Sequence, residues 1–318
     1  MRRDRKGRRR PVLALVVALA LVGSLAAAGA ALARPLGCNG SWRLCDRHFN
    51  QVVLPATHNA MSAQSLGWSL PNQQVGIPDQ LRLGVRGLLL DTYYAHREPN
   101  GTVVTDRTPT AQSELYLCHV ACQLGATPLI DVLRSIRSFL ERHPRNVLVI
   151  VNEDSVSPDD FAREVKRAKL LRHVWRGRTG PRWPTLRKMI RKRRQLVVLA
   201  ERDSGTVPWY HEAYGGILQE TAFTWPVPEL LTDPARWTAS CAPNRGGRTG
   251  SLFLLNHWSP PLAPNPATSA LVNATDVLVG RARACRAARG SIPNIVAVDM
   301  FLSGGLFDAV RRLNAEAS

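Results

Sequence analysis

Eight short apolar runs recur along the chain, and most end in a polar or ionisable residue. They are Gln51–His58, Val85–Asp91, Leu115–His119, Val147–Glu153, Leu196–Glu201, the weaker Gly216–Glu220, Ser251–His257 and Ile295–Asp299. Continuous apolar runs of this length are what parallel strands covered on both faces look like. Helix-period patterns separate several of them. Leu129, Ile130, Leu133, Ile136, Phe139 and Leu140 recur at helical spacing within 128–143. Pro158–Leu171 opens behind Ser157 with Asp159 and Asp160, which are helix N-terminal signals. Pro184–Arg194, Leu271–Ala288 and Gly305–Asn314 also read as helices, while 203–250, rich in Pro, Gly and Trp, reads as loop and short helix. Strand and helix alternating about eight times predict an α/β fold, a TIM-type (β/α)8 barrel. Residues 34–318 then form a single domain.

That architecture gives the polar ends a meaning. Barrel active sites lie at the C-terminal ends of the strands. His58, Asp91, His119, Glu153, Glu201, Asn256, His257 and Asp299 would then ring one mouth. Two imidazoles among several carboxylates make an acid–base set. Any one of these residues is as readily a polar strand terminus, so the reading rests on the set. Closure also places strand eight beside strand one. Asp299 would then orient the His58 imidazole, or else cap the following loop.

The N-terminus is an address. A basic stretch from Arg2 to Arg10, an apolar stretch from Val12 to Leu25 and the small-residue site Ala31-Leu32-Ala33 are the parts of a secretory signal peptide, residues 1–33. An uncleaved membrane anchor is the alternative, since 12–33 is long enough to span a bilayer. Both readings export the body. Six cysteines, Cys38, Cys45, Cys118, Cys122, Cys241 and Cys285, all follow this segment, an even count that suggests disulfides. Proximity suggests Cys38–Cys45, Cys118–Cys122 and Cys241–Cys285. A zinc site at Cys118, His119 and Cys122 lacks a second ligand pair at the usual spacing.

Charge narrows the partners without choosing one. The net charge is +18, of which the first 33 residues, seven basic and one acidic, hold +6, leaving +12 for the body. Such a body favours anionic partners. Arg187-Lys188 and Arg191–Arg194 read first as a solvated helix face, with an anionic membrane surface as the other reading. No nucleic acid is expected, because no aromatic–basic alternation of a strand-tracking groove is evident. A monomer is expected.

Four blocks together resemble a known family. Thr57-His58-Asn59, Gly84–Asp91 (GVRGLLLD), Leu117-Cys118-His119 and Val151–Asp154 (VNED) are similar to the X-domain of phosphoinositide-specific phospholipases C. The nearest likeness is to secreted X-domain-like phosphodiesterases, which share Cys38-Asn39-Gly40, Cys241–Asn244 (CAPN), Ser251–Asn256 (SLFLLN) and Pro293-Asn294-Ile295. The likeness runs from about Cys38 to Asn314. It implies a TIM-type barrel that cleaves a lipid or glycolipid phosphodiester through paired histidines. His58 and His119 match the catalytic pair, with His119 as acid and His58 as base or phosphate stabiliser. Cys118–Cys122 would fix where His119 points. Asn59, Asp91, Glu153 and Asn256 fall at phosphate- and substrate-binding positions. The resemblance also allows a Ca2+ held by Asn59, Asp91 and Glu153. Leu89 stands where the calcium-dependent animal enzymes carry a glutamate, so such a site would be weak. Two other functions stay open: a decayed barrel serving as a secreted binding protein, and a secreted phosphodiesterase acting on a non-lipid substrate.

Overall fold

The computed structural model describes residues 37–260 and 264–316. The expected signal peptide, 1–33, lies outside the described residues. Seven of the eight apolar runs become parallel strands: β1 (Leu54–Thr57), β2 (Gly87–Arg97), β6 (Leu148–Asp154), β7 (Leu196–Ala200), β9 (Leu218–Glu220), β10 (Leu252–His257) and β11 (Ile295–Val298). An eighth parallel strand, β8 (Tyr210–Glu212), lies in the stretch expected to be loop. Its three residues are too few to show a period. The sheet order is β8-β7-β6-β2-β1-β11-β10-β9, every neighbour parallel. The sheet curls, and the short turn 213–217 joins its two edge strands. Leu218 N donates to Ala213 O at 2.6 Å, in place of a closing ladder.

Strand alternation sorts the core into two clusters. Leu148, Ile150, Leu196, Val198, Val296 and Val298 point outward. There they meet helices α1 (Ile77–Leu83), α2 (Leu129–Arg142), α3 (Pro158–Arg167), α7 (Thr275–Arg289) and α8 (Leu306–Glu316). Val149, Val151, Leu199, Leu254 and Ala297 point into the barrel and pack with Trp175, Trp183 and Phe49 at its closed, N-terminal end. Period-2 alternation in a doubly covered strand explains why each run is apolar throughout. The helices begin as the sequence signals: Ser157 Oγ accepts from Asp160 N at 3.2 Å with Pro158 in the first turn. The short helix α4 (Leu186–Arg191) is capped by Thr185. Between β9 and β10 stands α5 (Glu229–Thr232).

Two expectations are corrected here. The Leu271–Ala288 helix is two helices, α6 (Pro266–Val272) and α7, broken at Asn273, whose side chain donates to Asp299 O (2.8 Å) and Ser303 O (3.1 Å). Leu115–His119 is not a barrel strand. Its core is β4 (Glu114–Cys118), antiparallel to β2 and to β5 (Ala126–Pro128), with β3 (Val103–Thr105) also antiparallel on β2. A short apolar run has no direction of its own, and only the partner strand supplies one.

Candidate active site

β2 is eleven residues long and continues past the mouth. β4 runs back down along its upper half, Thr92 opposite Leu117. The antiparallel return therefore delivers Cys118 and His119 beside the middle of β2, where Asp91 stands. Cys118 is bonded to Cys122, and Val120 between them holds a left-handed φ of 64°. A β-branched residue pays steric strain there, so the closed loop fixes the backbone next to His119. Cys38–Cys45 and Cys241–Cys285 are also disulfides, the pairs that proximity suggests.

His58 follows β1. Its backbone N donates to Val298 O at 3.0 Å, which sets it beside the end of β11. Its Nδ1 lies 3.0 Å from Asp299 Oδ1, and Asn72 Nδ2 donates to the other carboxylate oxygen at 3.2 Å. Burial raises the Asp299 carboxyl above its ordinary value, and the His58 contact opposes that rise. Trp258 stacks flat on the His58 ring, centroids 3.8 Å apart. The His58 and His119 rings stand 6.5 Å apart, edge to face.

Asn59 links both imidazoles. Its φ of 42° is left-handed, a conformation asparagine tolerates, and turns the side chain back into the mouth. Its neighbours assign the carboxamide orientation. The oxygen accepts from His58 Nε2 (3.1 Å) and His119 Nε2 (3.0 Å), and the nitrogen donates to Asp91 (3.2 and 3.3 Å). Both ring nitrogens thus aim at one point. Burial first, and the neighbouring His58 second, lower the His119 pKa to about 4.

His58, Asn59, Asp91 and Trp258 border a cavity of 240 Å³ together with Glu153, Glu201, Asn256, Arg202, Arg245 and Phe223. A larger hollow of 610 Å³ lies at the closed end, between α8 and the start of β1, away from the histidines. Asp91 is buried, and burial with the charges of Glu153 and Glu201 pushes its carboxyl well above the usual range. No arginine pairs with it among the described residues. Arg202 pairs instead with Glu153, and Arg245 bridges Glu201 and Glu220 at 2.6 Å each. Asn256 Nδ2 donates to Glu220 Oε2 at 3.1 Å, so this side chain is tied into the wall.

His257 is a correction. It does not reach the mouth but is fully buried behind β10, its Nε2 2.9 Å from Val272 O and its Nδ1 3.0 Å from Arg281 Nη1. Successive strand residues face opposite sides, so Asn256 and His257 cannot both point inward. The sequence reading missed Arg202, Arg245 and Asn72, and it did not single out Trp258 from the other tryptophans. Arg202 and Trp258 each follow a strand-terminal polar residue, a usable signal. Arg245 and Asn72 lie in loops with none.

The family model PI-PLC X 1 matches residues 44–314. The chain belongs to the PI-PLC X family. A PI-PLC X domain-containing protein of Arthroderma benhamiae is 24% identical over 299 residues, 89% of this chain and 90% of the relative. One from Arabidopsis thaliana is 26% identical, covering 84% of this chain and 62% of its own length. The barrel is similar to that of a phosphatidylinositol-specific phospholipase C from Staphylococcus aureus, with a TM-score of 0.54, 12% identity and coverage of 87% and 97%. The TIM-type PI-PLC barrel is therefore the fold of this X-family chain.

Proposed function

We propose that this PI-PLC X protein is an exported phosphodiesterase that cleaves a lipid or glycolipid phosphodiester by two-histidine acid–base chemistry. One observation carries the reading: two imidazole nitrogens from different strands converge within 3.1 Å of a single oxygen, that of Asn59. Phosphodiester cleavage needs a base for the attacking hydroxyl and an acid for the leaving alkoxide, and a convergent His pair supplies both. His58, oriented by Asp299, takes the hydroxyl proton or steadies the phosphate. His119 protonates the leaving oxygen. In the free protein burial holds His119 neutral, so the anionic substrate must raise its pKa before it can donate. Asn256 and Arg245 offer polar contacts for the head group.

A lipid substrate is favoured by the loops around the mouth. Leu66, Leu70, Val120, Phe223, Val227 and Leu302 are exposed large apolar side chains on loops that follow β1, β4, β9 and β11. An exposed apolar rim suits an interface with lipid. The three disulfides support an oxidising, extracellular setting. No helix among the described residues is long and apolar enough to cross a membrane.

Asp91 and Glu153 would hold a Ca2+, joined by Asn59 once its carboxamide turns over and brings its oxygen from the histidines to the Asp91 side. No three His, Cys, Asp or Glu side chains form a metal cluster among the described residues. Yet Asp91 is a buried carboxylate facing two like charges without a cation of its own, a place a hard dication suits. Once bound, the ion would supply positive charge for the phosphate. Incubating the mature protein with a panel of phosphodiester lipids and reading products by phosphorus NMR tests the function. A new phosphate resonance from one lipid class supports it; an unchanged panel refutes it.

A further inference from the structure

The stretch from Lys166 to Arg194 carries thirteen Lys and Arg and no Asp or Glu. It runs from the end of α3 to the start of β7, so it covers the closed end of the barrel, opposite the histidines. Its apolar side chains turn inward: Trp175, Trp183, Leu186 and Met189 are buried in the interior cluster. Trp175 N donates to Leu196 O at 2.7 Å, and Arg194 Nη1 to Leu171 O at 2.9 Å, which fixes the segment against the sheet. Its cations turn outward. Among the described residues only Arg167, Arg172 and Arg187 are ion-paired, with Glu164, Glu141 and Asp46. Lys188, Arg191, Lys192 and Arg193 are exposed with no carboxylate beside them. Beside them lies a hollow of 510 Å³ lined by Arg172, Arg193, His173, Gln195, Pro144 and Glu141, with Leu140 at its apolar wall.

Like charges held together on a folded surface repel one another, so a concentration of this kind costs stability unless an anion relieves it. The mouth carries the opposite sign, with Asp91, Glu153, Glu201 and Glu220 against Arg202 and Arg245. Charge is thus segregated along the barrel axis. We propose that the closed end of the barrel is a second, non-catalytic site that binds a linear phosphate polymer across Arg172, Lys188 and Arg191–Arg194.

A membrane is the weaker occupant on two grounds. Docking this end on a bilayer would point the mouth away from it. None of the exposed large apolar side chains lies in this segment, and Trp42 on the neighbouring 42–44 turn carries Arg145 against its ring, so the segment itself has little to anchor it in lipid. A base-reading nucleic-acid site is also disfavoured, because Trp175 and Trp183 are buried and leave no stacking platform. A phosphate polymer needs neither: its affinity comes from counterion release. The consequence is a protein tethered to an anionic matrix with its catalytic mouth free. This site goes beyond the proposed hydrolysis and does not depend on it.

The test uses the mature chain and end-labelled long-chain polyphosphate, followed by fluorescence anisotropy over a salt series. Engagement of roughly six phosphates gives a log–log salt slope of about −4, at ~0.7 per phosphate on a flexible strand. The triple reversal Arg191→Glu, Lys192→Glu, Arg193→Glu lowers affinity at least tenfold and flattens the slope. Arg172→Gln, Lys188→Gln is the milder second variant and lowers affinity in the same direction. Arg107→Glu, on the loop between β3 and β4, leaves binding unchanged. Unaltered polyphosphate binding in both multiple variants overturns the proposal, as does binding to phosphatidylglycerol vesicles without binding to the polymer. Tighter binding of single-stranded DNA than of polyphosphate of equal charge would show base stacking and also overturn it.

Discussion

His119 sits low enough, at about 4, to be neutral in the free protein at neutral pH, and an anion beside it should reverse that. Binding of a non-hydrolysable phosphate analogue near pH 6 should therefore take up protons. Calorimetry in buffers of different ionisation enthalpy reads the number, and His119→Gln should abolish the uptake. His58→Ala and His119→Ala should each lower turnover by about 10²–10⁴, the usual worth of general acid–base catalysis. Near wild-type turnover in either variant removes that residue from the mechanism. His257 gives a prediction on stability alone. Burial, then Arg281, lowers its pKa to about 3, so the folded state holds it neutral. The unfolded chain, with a pKa near 6.5, binds the proton first. Stability is thus whole above pH 6.5 and falls as pH drops toward 3. Near pH 5 the loss should be about 2 kcal/mol. The thermal midpoint should decline on acidification, and His257→Gln should flatten the decline.

β4 and its disulfide decide where one imidazole points. The Cys118–Cys122 loop is closed over a separation of only four residues, so its chain-entropy contribution to global stability is small. Its local effect is larger, because it holds the left-handed Val120 next to His119. The double variant Cys118→Ser, Cys122→Ser should lose activity by a larger factor than its modest fall in thermal midpoint explains. Equal activity with lowered stability would make the bridge a general staple. At the same scale, β1 and β11 act as a pair. The Thr57–Val298 register brings His58 and Asp299 to one level. A slip by a single residue would turn Asp299 away from the mouth.

Charge balance is a property of the assembled barrel. Four carboxyl groups, from β2, β6, β9 and the residue after β7, meet two arginines from loops, and Asp91 is the one without an ion pair among the described residues, with Glu153 and Glu201 opposing its charge and Arg202 favouring it. A Ca2+ held by Asn59, Asp91 and Glu153 would bind weakly, near the ~10⁻⁴–10⁻³ M of extracellular calcium modules. Activity should fall in EGTA, return with added Ca2+ and vanish in Asp91→Asn. Full activity in chelator with no calcium response would leave Arg202 or Arg245 as the phosphate's partner. The two ends of the molecule also differ in character: an apolar rim around the acidic mouth, and a cationic cap on the closed end.

The barrel was legible in the chain because a doubly covered strand must be apolar along its whole length, and seven such runs announce themselves. His58, Asp91, Glu153 and Asp299 were legible for the same reason: Asp91 and Asp299 are the first polar residues after such a run, and His58 and Glu153 stand one further on, behind Thr57 and Asn152. The three-residue β8 carried no period, and the direction of β4 is set by the β2 extension it pairs with, so neither was readable. His257 shows the limit of counting polar ends: a strand has two faces, and only the packed helices decide which is the outside. Arg245 and Asn72 entered the site by folding alone. Long-range ion pairs and hydrogen bonds join residues far apart in sequence, and no local pattern encodes such a meeting.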